Sequence, residues 1–144
     1  NSHVFDSLYA AKEIELELVP QGTLAERLRC AGAGLGGFFT PTGVGTPIAQ
    51  GKRTEVINGR EFLFETPLPA EFALIQADAA DRWGNLTYRK TARNFGPVMC
   101  AAATTTIVQV ARIVPLGSID PEHVVTPGIF VSRVVEVSHP LYSS

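Results

Sequence analysis

The sequence predicts an α/β fold with an open, mixed and mainly parallel sheet flanked by helices. Three observations carry this prediction. Residues 72–77 (Phe-Ala-Leu-Ile-Gln-Ala) form a continuous apolar run of strand length, as expected of a strand covered on both faces in a parallel or mixed sheet. A β-branched run, Thr-Thr-Thr-Ile-Val-Gln-Val, occupies residues 104–110 and is strongly strand-forming. Between residues 14 and 29, an alternating segment, a short turn and a helical pattern together make half of a βαβ unit.

Taken in order, Val4, Phe5, Leu8 and Tyr9 recur at the spacing of one helix face. That pattern is under way almost at once after Asn1 with no Met before it, so the N-terminus is expected to be a cut, with further chain upstream. Ile14-Glu15-Leu16-Glu17-Leu18-Val19 alternates with period two, which predicts a strand with one buried face and one Glu-bearing face, ended by Pro20. Thr23 and Glu26 have capping-box spacing at the head of the next helix, and Gly32 can stop it. Residues 32–47 are rich in Gly, Thr and Pro, and a structureless loop of about 16 residues in a compact domain is usually functional.

Asn58-Gly59 between two apolar runs predicts a hairpin with a type I′ turn. Residues 81–85 (Asp-Arg-Trp-Gly-Asn) form a turn, and Leu86-Thr87-Tyr88 a short strand. A helix of small residues is expected over 97–103 with Pro97 in its first turn. Glu122 and His123 fall in a bend, and residues 129–137 form the last strand. No repeat or linker divides the chain, so residues 1–144 are read as one domain.

Composition narrows the classes. With 45% hydrophobic and 18% charged residues, the chain has enough apolar surface to fold around a core. Its 12 basic and 14 acidic side chains leave a net charge of -2, which offers no broad attraction to phosphate backbones or anionic lipid. Nucleic acid and membrane partners are therefore disfavoured. The long uncharged stretch at residues 30–51 is broken by Gly and Pro and is unsuited to span a bilayer. Cys30 and Cys100 lie far apart in no CxxC or Cys/His ligand pattern, and read as reduced, buried thiols of a cytoplasmic protein.

Candidate chemistry concentrates in two places. Gln21 and Gly22 sit in the turn between the predicted strand and helix, where open α/β sheets bind ligands. The Gln21 amide can donate and accept without charge, beside free N–H groups at the helix start; the plainer reading is an exposed residue at a helix end. The second place is Thr40-Pro41-Thr42-Gly43-Val44-Gly45-Thr46, whose three hydroxyls, two glycines and proline suggest a stiff wall against a small polar ligand. The GxGxG fragment at residues 32–37 trails a helix instead of preceding one, and no Gly-Lys-Ser/Thr occurs, so a nucleotide-binding P-loop is excluded. Arg82, Arg89, Lys90 and Arg93, interleaved with Trp83, Tyr88 and Phe95, form the densest basic cluster; it reads as a solvated face or as an anion site for a carboxylate or phosphate. His3, His123 and His139 show no ligand spacing, and neither a Gly-x-Ser-x-Gly elbow nor a Ser/His/Asp triad is legible.

Four blocks carry a family resemblance. They are residues 14–29 with Val-Pro-Gln-Gly-Thr at their centre, residues 38–46 (Phe-Phe-Thr-Pro-Thr-Gly-Val-Gly-Thr), residues 80–95 (Ala-Asp-Arg-Trp-Gly-Asn-Leu-Thr-Tyr-Arg-Lys-Thr-Ala-Arg-Asn-Phe) and residues 126–131 (Thr-Pro-Gly-Ile-Phe-Val). In this order the chain resembles the alpha (A) subunit of the family I CoA-transferases, nearest to the 3-oxoadipate and 3-oxoacid (succinyl-CoA) branch through Val4-Phe5-Asp6 and Gly96-Pro97. The resemblance implies the CoA-transferase (NagB/RpiA-like) architecture and reversible movement of CoA between succinyl-CoA and a 3-oxoacid such as 3-oxoadipate or acetoacetate. It implies a ping-pong route through a glutamate nucleophile on a beta subunit, with CoA as co-substrate and no tightly bound cofactor. The Ser-Glu-Asn-Gly motif of that nucleophile is absent here, so Glu13, Glu15, Glu17 and Glu26 are not candidates; the alternating glutamates read as solvated or partner-facing. By the same resemblance Gln21 faces the catalytic glutamate, and Gln21, Gly22, Pro41, Thr42, Gly43, Gly45 and Thr46 line the acyl pocket. The family's Gly-Gly-Phe segment would lie upstream of Asn1. The competing class is a non-catalytic module that binds a small anion on the same α/β scaffold.

Overall fold

The two segments richest in strand formers pair with each other. In the computed structural model, which describes residues 3–137, the elements run α1 (His3–Ala10), α2 (Gln21–Gly32), β1 (Phe38–Thr40), β2 (Thr54–Ile57), β3 (Arg60–Glu65), β4 (Ala70–Asp81), β5 (Leu86–Thr87), α3 (Ala92–Ala102), β6 (Ala103–Val114) and β7 (Arg133–Glu136). β4 and β6 are parallel from Ala70 opposite Ala103 to Asp81 opposite Val114. β7 adds to β6 in parallel and β5 to β4 antiparallel, giving the order β5-β4-β6-β7. The open, mixed and mainly parallel sheet expected from the sequence is therefore present. A second, antiparallel sheet has the order β1-β3-β2.

Parallel strands need a crossover, and α3 supplies it between β5 and β6. Its Cys100 packs with Ala73, Ile75 and Ala77 of β4, Val108 and Val110 of β6, and Leu86 and Tyr88. α2 lies against α3 so closely that a Cβ on Gly32 would come within 2.6 Å of the Ala101 Cβ. The Asn58-Gly59 hairpin forms as expected, with φ of 51° and 76° at the two turn residues. Both cysteines are free and buried, and burial pushes the Cys100 thiol up from its ordinary pKa.

Several local expectations give way to tertiary context. Residues 14–19 are not a strand: no described strand runs alongside them, and Leu16 and Leu18 are exposed. Period-two alternation specifies an extended backbone, but a ladder needs a neighbour. Glu17 is 64% exposed, as the solvated reading expects, and accepts from Arg27 Nη1 at 2.9 Å, while Arg27 Nε donates to the Thr66 carbonyl at 3.0 Å. The capping box does not form either. α2 begins at Gln21 with Pro20 (φ -57°) as its cap, which puts Thr23 in the first turn and buried, and leaves Glu26 to pair with Arg29. Its stop is a Schellman motif: the Leu35 N–H donates to Cys30 O and the Gly34 N–H to Ala31 O, with Gly34 at φ +67°.

Residues 32–47 are not one structureless loop, because Phe38–Thr40 pairs with β3 and the Phe39 ring meets Phe64 edge-on at 5.2 Å. β4 is covered on one face only among the described residues: Phe72 and Leu74 are 64% and 75% exposed, whereas Ala73 and Ile75 are buried. α3 starts before Pro97, which lies in its interior. The lost N–H bond is outweighed by packing that sets Gly96 against the Tyr88 ring, 2.6 Å from a would-be Cβ. The last strand is shortened to Arg133–Glu136, because Pro127 opens a 3-10 turn at Gly128–Phe130. His139 lies outside the described residues.

The turn after β4 is held by one carboxylate. Asp81 Oδ1 accepts from the N–H groups of Trp83 and Asn85 at 2.9 and 3.0 Å, and Oδ2 accepts from the Asn85 side-chain amide at 2.8 Å. Burial alone would raise its pKa, but the bonds from Asn85 and the neighbouring backbone outweigh it and hold the carboxyl below its ordinary value of 3.8. A depressed acid stabilises the fold above its unfolded pKa and loses that contribution as pH falls through the folded value. Stability is therefore expected to drop in acid below that ordinary value of 3.8. Urea melts across the acid range should show Asp81→Asn with a flatter pH dependence there than the parent; equal slopes would contradict the assignment.

Candidate active site

Pro20 builds the first half of the site. It has no side chain able to cap, so the opening N–H groups of α2 at Gln21 and Gly22 are left without a side-chain partner. Gln21 and Gly22 are exposed, and the Gln21 amide makes no hydrogen bond to any described residue. Nothing lies within 4 Å of a Cβ built on Gly22. This combination presents an unengaged amide, two backbone donors and the positive end of a helix dipole, and it can stabilise an oxygen that gains negative charge.

The second half, residues 41–46, follows β1 and folds as two successive turns. Val44 N–H donates to Pro41 O at 3.3 Å and Thr46 N–H to Gly43 O at 3.1 Å. Gly43 and Gly45 hold φ of +92° and +74°, where a side chain would be strained. Of the three hydroxyls, Thr40 accepts from the Thr42 N–H at 3.2 Å, and Thr46 donates to Gly43 O at 2.7 Å while accepting from Ile48 N–H. Only Thr42, which is exposed, keeps its hydroxyl clear of the turn's own bonds, so the wall of three hydroxyls reduces to one. Gly43 is tight for a different reason, with Ile48 and Leu63 at 3.1 and 3.3 Å from its would-be Cβ.

The two halves sit on separate elements, and no hydrogen bond joins them among the described residues. What ties their supports together was not legible in the sequence. The Arg27 carbonyl of α2 accepts from Leu68 N–H at 3.0 Å just after β3, the strand on which β1 and its loop rest. At the far end of the loop, Lys52 Nζ reaches Glu65 Oε1 at 2.6 Å, and Glu65 is only 3% exposed. A pair separated by thirteen residues along the chain leaves no local signal. Its role is to hold the loop against β3.

The four basic residues of the cluster, Arg82, Arg89, Lys90 and Arg93, are all exposed. Tyr88 is buried, with its hydroxyl 2.9 Å from Thr126 Oγ1, and burial raises its pKa above the ordinary phenol value. Arg82 and Trp83 are exposed on the β4–β5 turn, while Arg93 belongs to α3. No group of three His, Cys, Asp or Glu side chains among the described residues could hold a metal ion. No described helix is long and apolar enough to cross a membrane.

Comparison with known proteins follows the same lines. The family model for Coenzyme A transferase matches residues 1–137. The alpha (A) subunit of 3-oxoadipate CoA-transferase from Pseudomonas putida is 62% identical over 144 residues, covering 100% of this chain and 62% of that protein. The corresponding subunit of a probable succinyl-CoA:3-ketoacid coenzyme A transferase from Bacillus subtilis is 48% identical over 132 residues, 92% of this chain and 56% of that protein. The chain thus spans about three-fifths of the length of these curated relatives. Among solved structures, an acyl-CoA transferase apoenzyme from Escherichia coli O157:H7 superposes with a TM-score of 0.83 at 24% identity, over 92% of this chain and 30% of that one. Glutaconate coenzyme A-transferase from Acidaminococcus fermentans gives 0.79 at 18% identity, over 92% of this chain and 49% of that one. At these identities the two structures speak for the fold.

Proposed function

The chain belongs to the coenzyme A transferase family, and from that premise we propose that it is part of the alpha (A) subunit of a two-subunit, cytoplasmic enzyme moving CoA between succinyl-CoA and a 3-oxoacid, 3-oxoadipate or acetoacetate. The observation that carries this reading is the 62% identity over all 144 residues to the alpha (A) subunit of a 3-oxoadipate CoA-transferase. Identity of that extent includes Gln21 and the 41–46 loop within the aligned span.

The chemistry assigned to the pair of subunits is a carboxylate exchange in two halves. A glutamate of the partner attacks the thioester carbonyl, forming a mixed anhydride and releasing CoA as thiolate. The thiolate then attacks the glutamyl carbonyl, freeing the first acid and leaving a glutamyl thioester, and the second acid reverses the sequence. The reading places the nucleophile on the partner, because these 144 residues lack the Ser-Glu-Asn-Gly motif; Glu17, Glu26 and Glu65 are moreover engaged by Arg27, Arg29 and Lys52. This chain's contribution is the Gln21 amide and the uncapped start of α2, which meet the oxyanion of each tetrahedral intermediate, with Pro41, Thr42, Gly43, Gly45 and Thr46 shaping the acyl side. Such donors act because they are in place before charge develops.

The complete protein, co-expressed with its partner, is expected to exchange CoA between succinyl-CoA and 3-oxoadipate or acetoacetate. Absence of exchange with every small dicarboxylate and 3-oxoacid tried would overturn the reading. Gln21→Ala should lower kcat about tenfold, the loss of one donor worth ~1.4 kcal/mol, while the subunits still co-elute. Equal loss of activity and assembly would instead make Gln21 a structural residue.

A further inference from the structure

One side chain joins the supports of the two halves of the candidate site. Residues 14–19 lead into Gln21 outside any helix or strand, and among the described residues no backbone hydrogen bond reaches them. Their polar tie to the rest of the chain is the Glu17 carboxylate, which accepts from Arg27 Nη1 at 2.9 Å. Arg27 stands on α2 and is only 8% exposed, which is uncommon for a charged residue. The same guanidinium donates through Nε to the Thr66 carbonyl at 3.0 Å, and the Arg27 carbonyl accepts from Leu68 N–H at 3.0 Å. Thr66 and Leu68 follow directly on β3, and β3 pairs through Leu63 with Thr40, the residue before the 41–46 loop. Arg27 is thus bonded both to the segment that sets Gln21 and to the chain leaving the strand on which the loop rests. An apolar side chain of similar bulk would fill this place without the cost of desolvating a charge. What it could not do is bind two segments at a fixed geometry.

We propose that Arg27 is a positioning residue for the transfer: through Glu17 and Thr66 it fixes the Gln21 end of α2 relative to the 41–46 loop, a role that rests on the transferase reading, in which both halves meet one acyl group. A guanidinium suits this task, because its donors lie in one rigid plane and reach two acceptors at set angles, whereas an ammonium is a single rotating point charge. Positioning matters because an oxyanion donor works only when it stands in place before charge develops, and a displacement on the order of 1 Å can lower a rate about 100-fold. Glu17 is 64% exposed, and ion pairs with one partner so exposed add little to stability. A Glu17–Arg27 pair that served stability alone would therefore leave catalysis almost unchanged when broken.

The complete protein, assembled with its partner subunit, is assayed as Glu17→Ala, Glu17→Gln, Arg27→Lys and Gln21→Ala, and as the double variant of Glu17→Ala with Gln21→Ala. Glu17→Ala should lower kcat about fivefold with KM and Tm nearly unchanged, a smaller loss than that of Gln21→Ala because it acts through Gln21. Glu17→Gln keeps an acceptor for Arg27 and should bring kcat back to within about twofold of the parent. Arg27→Lys cannot hold both acceptors, and should lower kcat about tenfold and raise KM for the acid about threefold, since the loop is released as well. In the double variant the Glu17 effect should disappear, with kcat no more than about twofold below that of Gln21→Ala. No fall in kcat for Glu17→Ala, no rescue by Glu17→Gln, or losses that multiply in full in the double variant would overturn the proposal. Amide exchange reads the same device without activity. Leu24 N–H donates to Pro20 O at 2.9 Å in the first turn of α2, and it should exchange about tenfold faster in Glu17→Ala while the amides of the β4–β6 ladder stay as in the parent. A parent that exchanges no CoA overturns the transferase reading alone, and the Leu24 amide then decides whether Arg27 fixes the Gln21 end. Unchanged exchange at Leu24 overturns the proposal in either case.

Discussion

Lys52→Met is expected to destabilise the protein by about 3 kcal/mol, because it strands a carboxylate in the interior. Breaking one side of a buried ion pair costs roughly 3–5 kcal/mol, and the lower end applies here because Lys52 is still 23% exposed. Glu65 is the last residue of β3, opposite Phe38 of β1, so an uncompensated charge there also loosens the strand that carries the 41–46 loop. Adding Glu65→Gln to Lys52→Met removes the charge and should recover most of the loss, since the cost comes from the unpaired ion and not from the missing bond. Urea melts of the two single variants and the double variant measure this directly. A loss under ~1 kcal/mol for Lys52→Met would show the pair to be dispensable, and a full loss with no recovery in the double variant would show that the stranded charge is not its cause.

Gly128→Ala should have a comparable effect for a steric reason. A Cβ at this position would overlap the Trp83 carbonyl oxygen and stand 2.9 Å from its carbon, both backbone atoms that cannot rotate away. Gly128 N–H also donates to Asn85 Oδ1 at 3.0 Å, so the substitution pushes apart two segments that hydrogen bonds hold together. Overpacking of this kind costs about 1–3 kcal/mol, and the upper end is expected because the clash is with main chain. In a chain of 144 residues that corresponds to a fall in Tm of about 10 °C. Gly36→Ala is the control: nothing lies within 4 Å of its would-be Cβ, and its Tm should hardly move. Thermal melts showing both variants within a degree or two of the parent would mean that the 126–131 segment yields freely.

Legibility in the sequence follows the range of the interactions. The Asn58-Gly59 hairpin and the Asp81–Asn85 turn are readable because the residues that make them are neighbours in the chain. The pairing of β4 with β6 is readable in kind, since two strand-forming runs separated by a helical stretch leave a parallel crossover as the short solution. The start of α2 misleads because two local signals compete: Thr23 and Glu26 have the spacing of a cap, yet Pro20 begins the helix and tertiary packing buries Thr23. β1 is hidden for the same kind of reason, as Phe38–Thr40 is a strand only by virtue of β3, more than twenty residues away. At the candidate site, Gln21 and Gly22 at a helix start are legible. The internal engagement of Thr40 and Thr46 and the supporting Lys52–Glu65 pair are not.

The sequence alone therefore determined the class of fold, the family blocks and the residue types at the candidate site, because composition, periodicity and turn chemistry act over a few residues. Tertiary structure alone decided which extended segments become strands, which hydroxyls remain available, and where charge is buried. Residues 14–19 stay unpaired despite a perfect alternation, while Phe38–Thr40 pairs with almost none. The physical reason is that a ladder, an ion pair or a cavity exists only between partners, and the free energy that selects those partners comes from burying surface between segments distant along the chain.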